Sequence, residues 1–329
     1  MIRSLFSAVS GLTSMQEAMD VIGDNIANVN TDGFKASDAE FNEAFSQTER
    51  EANDSDPIGL TVGLGVEVSG TVTNFSQGAF ETTNIPSNVA ISGNGFFVID
   101  TSIDATTGAG TGTTLYTRAG DFTVDSDGYL RTSNGYYVMG YSAGSTGTSS
   151  EPDGTNTQAT AFSAGTVFSD FSASSGTALS ATSDLTAIEI PSVIQDETWD
   201  STTSSYTAGT TTDVASYSVG TDGAITVVGE DGTNAIIGYI SLATFGNENG
   251  LAAEGEGYYS TTKASGTTTI DTPNQGNAGG VQGGAVELSN SDVATDFSDM
   301  IIIQNGYSAN AKVITVSNEM LETADNLIQ

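Results

Sequence analysis

The sequence predicts an α+β fold in which two long terminal helices pair as a coiled-coil stalk, with a β-rich body of short antiparallel strands and a small inserted domain between them. Three observations lead to this prediction. Apolar residues recur every three or four positions in residues 1–30, a second such pattern occupies residues 288–329, and the middle of the chain has the turns and alternation of strands. An apolar stripe on a helix must be covered, so we expect the two ends to pair.

The first predicted helix spans residues 3–29 and carries one narrow apolar seam with the spacing of a heptad repeat. Small and polar residues fill its other positions. Asn, Thr, Asp and Gly follow one another at residues 30–33 and predict the end of the helix, with Gly33 suited to a positive φ. The seam residues are Leu5, Ala8, Leu12, Met15, Met19, Ile22, Ile26 and Val29.

The region between the helices is predicted in three parts. Residues 31–69 form an acidic, polar linker that contains one short helix or hairpin and a half-buried strand from Leu60. Residues 70–142 and 184–287 form the β-rich domain, with Asp-Gly turns and with mostly loop after residue 246. Residues 143–183 turn to Gly, Ser, Thr and Ala and are predicted as a small insertion, either an outer domain or a surface loop.

The second predicted helix begins near Ser289 or Ser291, where Ser and Asp can cap it, and runs to the end of the sequence. Its apolar residues repeat every seven positions. An intramolecular helix hairpin would explain both seams, but two helices alone leave apolar surface in water, so we expect further copies of the chain to cover it. The seam residues are Val293, Phe297, Met300, Ile303, Tyr307, Ala311, Ile314, Leu321 and Ile328.

The charge of the chain restricts its partners. Lys and Arg total 7 against 41 Asp and Glu, which gives a net charge of −34. Such a surface repels nucleic acid and anionic membrane. Copies of the chain also repel one another unless salt screens the charges, which at physiological ionic strength occurs beyond about 8–10 Å. We therefore expect self-association to need a salty medium.

The side chains needed for common catalytic and metal sites are missing. The chain has no Cys and no His, which excludes disulfides, an ordinary zinc site and a Ser-His-Asp triad. Asp125-Ser126-Asp127-Gly128 suggests a calcium loop, but Thr123 and Asn134 stand where that loop needs Asp and Glu, and a hairpin turn is the better interpretation. Paired carboxylates remain as an acid–base alternative. We predict no enzyme, no cofactor and no metal.

Targeting signals are not evident either. The stretch after Arg3 is broken by polar residues, unlike a secretory signal peptide, and no apolar run is long enough to span a membrane. Export, if it occurs, would need a route without a cleaved signal.

The ends of the chain resemble those of the bacterial flagellar axial proteins, the rod and hook family. The matching stretches are residues 19–35 and 287–294, followed by 300–310, and internal matches lie at 62–66, 91–97, 116–122 and 242–251. Within the first stretch the family signature comprises Asn25, Asn28, Thr31, Gly33 and Phe34.

The resemblance implies a structural subunit that is exported unfolded through the flagellar type III apparatus and polymerises into a helical tube with a central channel. Its partners would be other copies, the rod, the hook cap and the hook–filament junction proteins, and its location extracellular, in the hook and basal body. Val138-Met139-Gly140-Tyr141 before an insertion favours the hook protein, a flexible joint that transmits torque from rod to filament. The distal rod protein is the alternative, because the insertion is short for a hook, and a β-rich adhesin or surface protein is a distant one.

Overall fold

The computed structural model describes residues 2–50, 60–104, 107–142, 185–200, 205–232 and 234–327. The whole of the predicted insertion at 143–183 therefore lies outside the described residues. The chain divides into two compact units. The first unit combines Met1–Ser76 with Ser289–Gln329, and the second comprises Gln77–Leu288.

The first unit contains both helices and four strands. Helix α1 is Ile2–Ala27 and helix α2 is Val293–Asn326. The strands are β1 (Ser37–Glu43), β2 (Ser46–Arg50), β3 (Leu60–Gly63) and β4 (Val66–Thr73), which pair antiparallel as β1 with β4 and β2 with β3. Helix α1 contacts α2 on one side and the β1–β4 pair on another.

Local sequence explains how each helix begins or ends. The side chain of Asp292 caps α2 by accepting a hydrogen bond from the backbone N–H of Ala294 at 2.9 Å. After α1, Gly33 has a φ of +69°, the positive value predicted for it. The stretch predicted as a linker is more structured than a linker, because β1 and β4 lie against α1. Ala39 and Phe41 are the only apolar residues of β1, and two such residues are too few to identify the strand from the sequence.

The second unit is built from short strands. They are β5 (Phe80–Thr82), β6 (Val89–Ser92), β7 (Phe96–Asp100), β8 (Thr114–Thr117), β9 (Thr123–Val124), β10 (Leu130–Arg131), β11 (Tyr137–Ser142), β12 (Thr186–Ala187), β13 (Val193–Asp200), β14 (Ser205–Val219), β15 (Ala224–Gly229), β16 (Asn234–Ile240), β17 (Leu242–Phe245), β18 (Ala252–Gly255), β19 (Tyr258–Ser260), β20 (Thr268–Asp271), β21 (Gly280–Gly283) and β22 (Ala285–Glu287).

The large sheet of this unit follows the order β13-β14-β15-β16-β11-β7-β8-β19-β18, with antiparallel pairing throughout. Smaller pairs join β5 to β22 and β6 to β21. Most of residues 246–287 lie in loops, as expected, and five short strands, β18–β22, lie between these loops. Gly-rich turns follow one another at short intervals here. The strands between them are therefore too short to show a long alternation of apolar and polar residues.

Large apolar side chains from many strands meet in one core. Phe97, Phe122, Ile99 and Leu242 are at most 1% exposed, and the rings of Phe97 and Phe122 meet edge to face at 5.0 Å. The predicted Asp-Gly turns have the expected backbone, with positive φ at Gly128, Gly223 and Gly232.

A buried ion pair ties together the two places where the chain enters and leaves the second unit. Arg118 Nη1 donates to Glu287 Oε2 at 3.2 Å, and their side chains are 2% and 0% exposed. The other oxygen of Glu287 accepts from the N–H of Gly78 at 2.8 Å, and Arg118 Nη2 donates to the carbonyl of Gly93 at 2.9 Å. Because Gly78 lies near the start of the unit and Glu287 near its end, the hydrogen bond between them joins the two ends of the unit. Arg118 provides the charged partner of Glu287.

Replacement of Arg118 by Met should lower the free energy of unfolding by about 3–5 kcal/mol, because it leaves the carboxylate of Glu287 buried without its charged partner. Arg131→Met is the matched control. Arg131 also pairs with an acid, Asp125, but their side chains are 27% and 21% exposed, so we expect a loss of about 1 kcal/mol or less. Urea unfolding of the full chain, followed by circular dichroism, measures both losses, and equal losses would contradict the role given to the buried pair.

Candidate assembly site on the terminal helices

The two terminal helices pack antiparallel, with a glycine of each helix facing a side chain of the other. A Cβ atom added to Gly11 of α1 would lie 2.5 Å from Nδ2 of Asn310, and one added to Gly306 of α2 would lie 3.3 Å from Cε of Met15. Residue numbers rise along α1 while those of the facing residues fall along α2, which defines the antiparallel orientation. Glycine at these two positions leaves room for the side chains of Asn310 and Met15 between the helices.

The predicted seam of α1 lies on its covered side. Ala8 is 4% exposed, and the other seam residues, Leu5, Leu12, Met15, Met19, Ile22, Ile26 and Val29, are half-buried. Ser14, Ala18 and Asn25 are also buried, although the seam does not include them. The covered side of α1 is therefore wider than the seam, because β1 and β4 cover it as well as α2.

The predicted seam of α2 divides into covered and exposed residues. Val293, Met300, Ile303, Ala311 and Ile314 are half-buried, Phe297, Tyr307 and Leu321 are 50%, 40% and 39% exposed, and Ile328 lies outside the described residues. Small and polar residues fill much of the side that faces α1. Gly306 and Asn310 meet α1 directly, and Ser317 is 2% exposed. Several large apolar side chains of α2 therefore point away from α1.

The signature residues form the junction between α1 and β1. Asn25 is 2% exposed, and its side chain holds Ser37 at both backbone groups, accepting from the N–H at 2.9 Å and donating to the carbonyl at 2.8 Å. Thr31 Oγ1 donates to Asn28 Oδ1 at 3.2 Å. Phe34 is half-buried, and its carbonyl accepts from the N–H of Asn290. Together with the positive φ of Gly33, these contacts fix the direction in which the chain leaves α1.

A second asparagine joins this junction to α2. Asn290 Oδ1 accepts from the N–H of Ala36 at 2.8 Å, and its Nδ2 donates to the carbonyls of Asn74 at 2.7 Å and Ser76 at 3.0 Å. Lys35, only 2% exposed, donates from Nζ to the carbonyl of Ser76 at 2.8 Å. Three chain segments meet here: the exit from α1, the residues after β4, and the entry to α2. Sequence reasoning gave Asn290 and Lys35 no role, although both lie within the matched stretches.

The turn between β3 and β4 is held against α1 by two serines. The N–H of Val66 donates to Ser10 Oγ at 3.3 Å, and Ser14 Oγ donates to the carbonyl of Val66 at 3.2 Å. Gly65 has a φ of +128°, and a Cβ atom there would collide with Ser10 Oγ. The sequence analysis did not predict this contact. The only local indication of it is a pair of serines four residues apart on the helix.

The clearly shifted pKa values among the described residues belong to the second unit. Burial raises the pKa of Tyr259 to about 12, against the opposing effect of the Arg118 charge. Burial also raises the pKa of Glu189, and the carboxylates of Asp125 and Asp127 add to the effect. Within the described part of the chain no group of three or more His, Cys, Asp or Glu residues could hold a metal ion. None of its helices is long and apolar enough to cross a membrane.

Three family models match consecutive parts of the chain. The model described as flagella basal body rod protein matches residues 5–35. The FlgE/F/G D1 domain of the flagellar hook protein matches residues 90–227, and the C-terminal model of the basal body rod proteins FlgEFG matches residues 282–327. The first and last of these matches cover the two helices, and the middle one covers much of the β-rich unit.

Full-length relatives are flagellar proteins. The chain is 33% identical to the basal-body rod protein FlgG of Bacillus subtilis over 99% of both chains, and 30% identical to FlgG of Agrobacterium fabrum over 97% of this chain and 96% of that one. It is 43% identical to the hook protein FlgE of Helicobacter mustelae over 43% of this chain and 31% of that protein. A crystal structure of hook protein FlgE2 from Helicobacter pylori matches 64% of this chain and 99% of that one at 10% identity, and its TM-score of 0.39 is too low to support a statement about this chain.

Gly11→Leu should weaken the contact between α1 and α2, because its side chain would push against Asn310. Gly23→Leu is the control on the same helix, since a Cβ atom there meets nothing within 4 Å. Both changes gain about the same helix propensity. We expect Gly11→Leu to be the less stable variant by about 1–3 kcal/mol in urea unfolding of the full chain. Equal stability of the two variants would show that the helices do not approach closely at Gly11.

Gly65→Ala should destabilise the protein by about 1–3 kcal/mol, because alanine is strained at that positive φ and its Cβ collides with Ser10. Gly70→Ala in β4, where added atoms meet nothing within 4 Å, should change stability by less than about 1 kcal/mol. Thermal unfolding measures both changes. Faster hydrogen exchange at the amide of Val66 in Gly65→Ala alone would identify the turn as the site of the damage, and unchanged exchange there would refute the packing described.

Proposed function

The chain belongs to the flagellar rod and hook family of structural, non-enzymatic proteins, and on that premise we propose that it is a subunit of the distal flagellar rod, polymerised through its terminal helices into a tube. The observation that carries this proposal is the match to FlgG, which spans 99% of both chains. Nearly the whole length of both chains takes part in this match.

The hook is the second candidate, and it is the one that the sequence favoured. The 43% identity to hook protein FlgE supports it, being higher than the identity to the rod relatives. That match covers only 31% of the hook protein, however, so most of the hook protein has no counterpart in it. The share of each relative that is matched therefore favours the rod, while the identity within the matched region favours the hook.

The helices supply the surface for polymerisation in this proposal. Within one chain α1 and α2 leave large apolar side chains in water, among them Phe6 at 68% and Ile302 at 66% exposure. Burial of apolar surface stabilises association by roughly 25 cal/mol per Å² before the costs of ordering. The helices would form an inner coiled-coil layer around a central channel.

The partners follow from a place in the rod. The subunit would contact other copies of itself and the neighbouring rod and hook components, and as a hook subunit it would also meet the hook cap and the hook–filament junction proteins. Export would use the flagellar type III apparatus, without a cleaved signal, and the assembled subunit would lie outside the cytoplasmic membrane. Its charge of −34 opposes contact between copies, so salt should favour assembly.

Electron microscopy of the purified full-length chain across a salt series tests this function, both alone and on pre-formed rods as templates. We expect tubes with a central channel that become more abundant as the salt concentration rises. The chain without residues 1–30 and 288–329 should form none. Straight tubes are the expected result for a rod, and curved tubes would favour the hook. A chain that stays monomeric at every salt concentration, even on pre-formed rods, would refute the proposal.

A further inference from the structure

Helix α2 carries an apolar row, the back row, on the side that does not contact α1. Its members follow one another at intervals of seven, four, three, four and seven residues, which is the spacing of a heptad seam. All are exposed, including Ile302 at 66%, Val316 at 50% and Met320 at 45%. The back row consists of Ile302, Ala309, Val313, Val316, Met320 and Leu327. None of these residues belongs to the seam predicted from the sequence.

Helix α1 also exposes a row, the outer row, with the spacing of a heptad seam. Its first half is apolar, with Phe6 at 68% and Val9 at 49% exposure, and its second half is acidic. The outer row consists of Phe6, Val9, Thr13, Glu17, Asp20 and Asp24, all of them exposed. Its opposite side is covered by α2 and the β1–β4 pair, whereas the outer row is exposed within the described part of the chain and is open to another copy.

The charges on the two rows are complementary. Between Asp299 and Glu319 the only charged residue of α2 is Lys312, which is exposed beside the back row. A basic residue there is notable in a chain with only 7 Lys and Arg against 41 Asp and Glu. The acidic half of the outer row supplies the carboxylates that Lys312 would need. A helix from a strongly basic partner would instead place like charges against Lys312.

We propose that the back row of α2 binds the outer row of α1 from a second copy of the chain, with the two helices antiparallel. The proposal rests on the proposed function and deepens it, since it names the surfaces that copies share. Heptad spacing on both rows suits a helix-to-helix seam. Each copy would then use both sides of α2, one for its own α1 and one for the α1 of a neighbour.

The two rows fit in one register. Within a chain Gly11 faces Asn310. If the α1 of the second copy is shifted by eight residues relative to that pairing, about 12 Å at 1.5 Å per residue, Val9 meets Met320, Thr13 meets Val316 and Glu17 meets Lys312. The same shift leaves Phe6 between Met320 and Leu327. Without the shift, Lys312 would face Val9, and the charges would not meet.

Disulfide crosslinking of assembled protein tests this contact, and the absence of Cys from the chain makes it a clean experiment. Chains carrying V9C are mixed with chains carrying M320C, assembled on pre-formed rods and oxidised. We expect a crosslink between different chains, since a disulfide needs Cα atoms within about 7 Å. The control is V9C with T315C, because Thr315 is exposed on another side of α2, and it should crosslink several-fold less.

The outcomes separate this proposal from the proposed function. If tubes form but V9C and M320C crosslink no better than the control pair, or M320C crosslinks to a second M320C instead, the contact between the two rows is refuted and the proposed function stands. If no assembly forms on pre-formed rods, the proposed function fails, and this proposal fails with it.

A charge exchange gives an independent readout. K312E should raise the protein concentration needed for assembly several-fold, because it places a carboxylate opposite Glu17. The double variant K312E/E17K should restore assembly. K263E is the control for net charge, since Lys263 is exposed in the second unit, and it should have a smaller effect. Failure of E17K to rescue K312E would contradict the pairing of these two residues.

Discussion

The close approach of α1 and α2 is the constraint on which the organisation of the first unit depends. Gly11 and Gly306 remove the side chains that would separate the helices, and Asn310 and Met15 occupy the space opposite them. Small and polar residues form much of the side of α2 that contacts α1. Many of the large apolar side chains of α2 are therefore exposed. Outward apolar surface is a liability for a monomer and an advantage for a polymer subunit. The same contact that pairs the helices therefore prepares them for further copies.

Buried polar side chains fix the chain where its segments meet. Asn25 and Asn290 each satisfy backbone groups of a distant segment, so the α1–β1 junction is held to the entry of α2. Arg118 and Glu287 perform the corresponding role in the second unit, where they join its first and last residues. Buried polar groups are usually paired, and the amide groups of Asn25 and Asn290 and the carboxylate of Glu287 all have hydrogen-bond partners, whereas Nε of Arg118 has none among the described residues. The side chains of Asn290 and Glu287 bond to residues 209 to 254 positions away, whereas that of Asn25 bonds to a residue 12 positions away.

Charge and apolar surface have opposite effects on the association of copies of this protein. A net charge of −34 keeps separate copies apart at low salt, while the exposed rows on the helices favour their contact. The negative charge is not spread evenly over the helices. Within residues 300–318 the only charged residue is Lys312. Repulsion that is spread over the whole surface is screened by salt, whereas apolar contact is not weakened in this way. The proposed assembly should therefore depend on the salt concentration.

The sequence by itself determined that both ends are helices, that the middle is β-rich, and to which family the chain belongs. Periodicity and turn chemistry are local properties, so the seam of α1 and the turns at Gly33, Gly128 and Gly223 could be found without a structure. Only the tertiary structure decided which side of α2 faces α1, because a repeat of seven places Phe297 and Tyr307 on a stripe without saying what covers it. It also revealed β1, its pairing with β4, and the hydrogen bonds of Asn290 and Ser10 to distant segments. Such contacts join residues tens to hundreds of positions apart, and no local pattern records them.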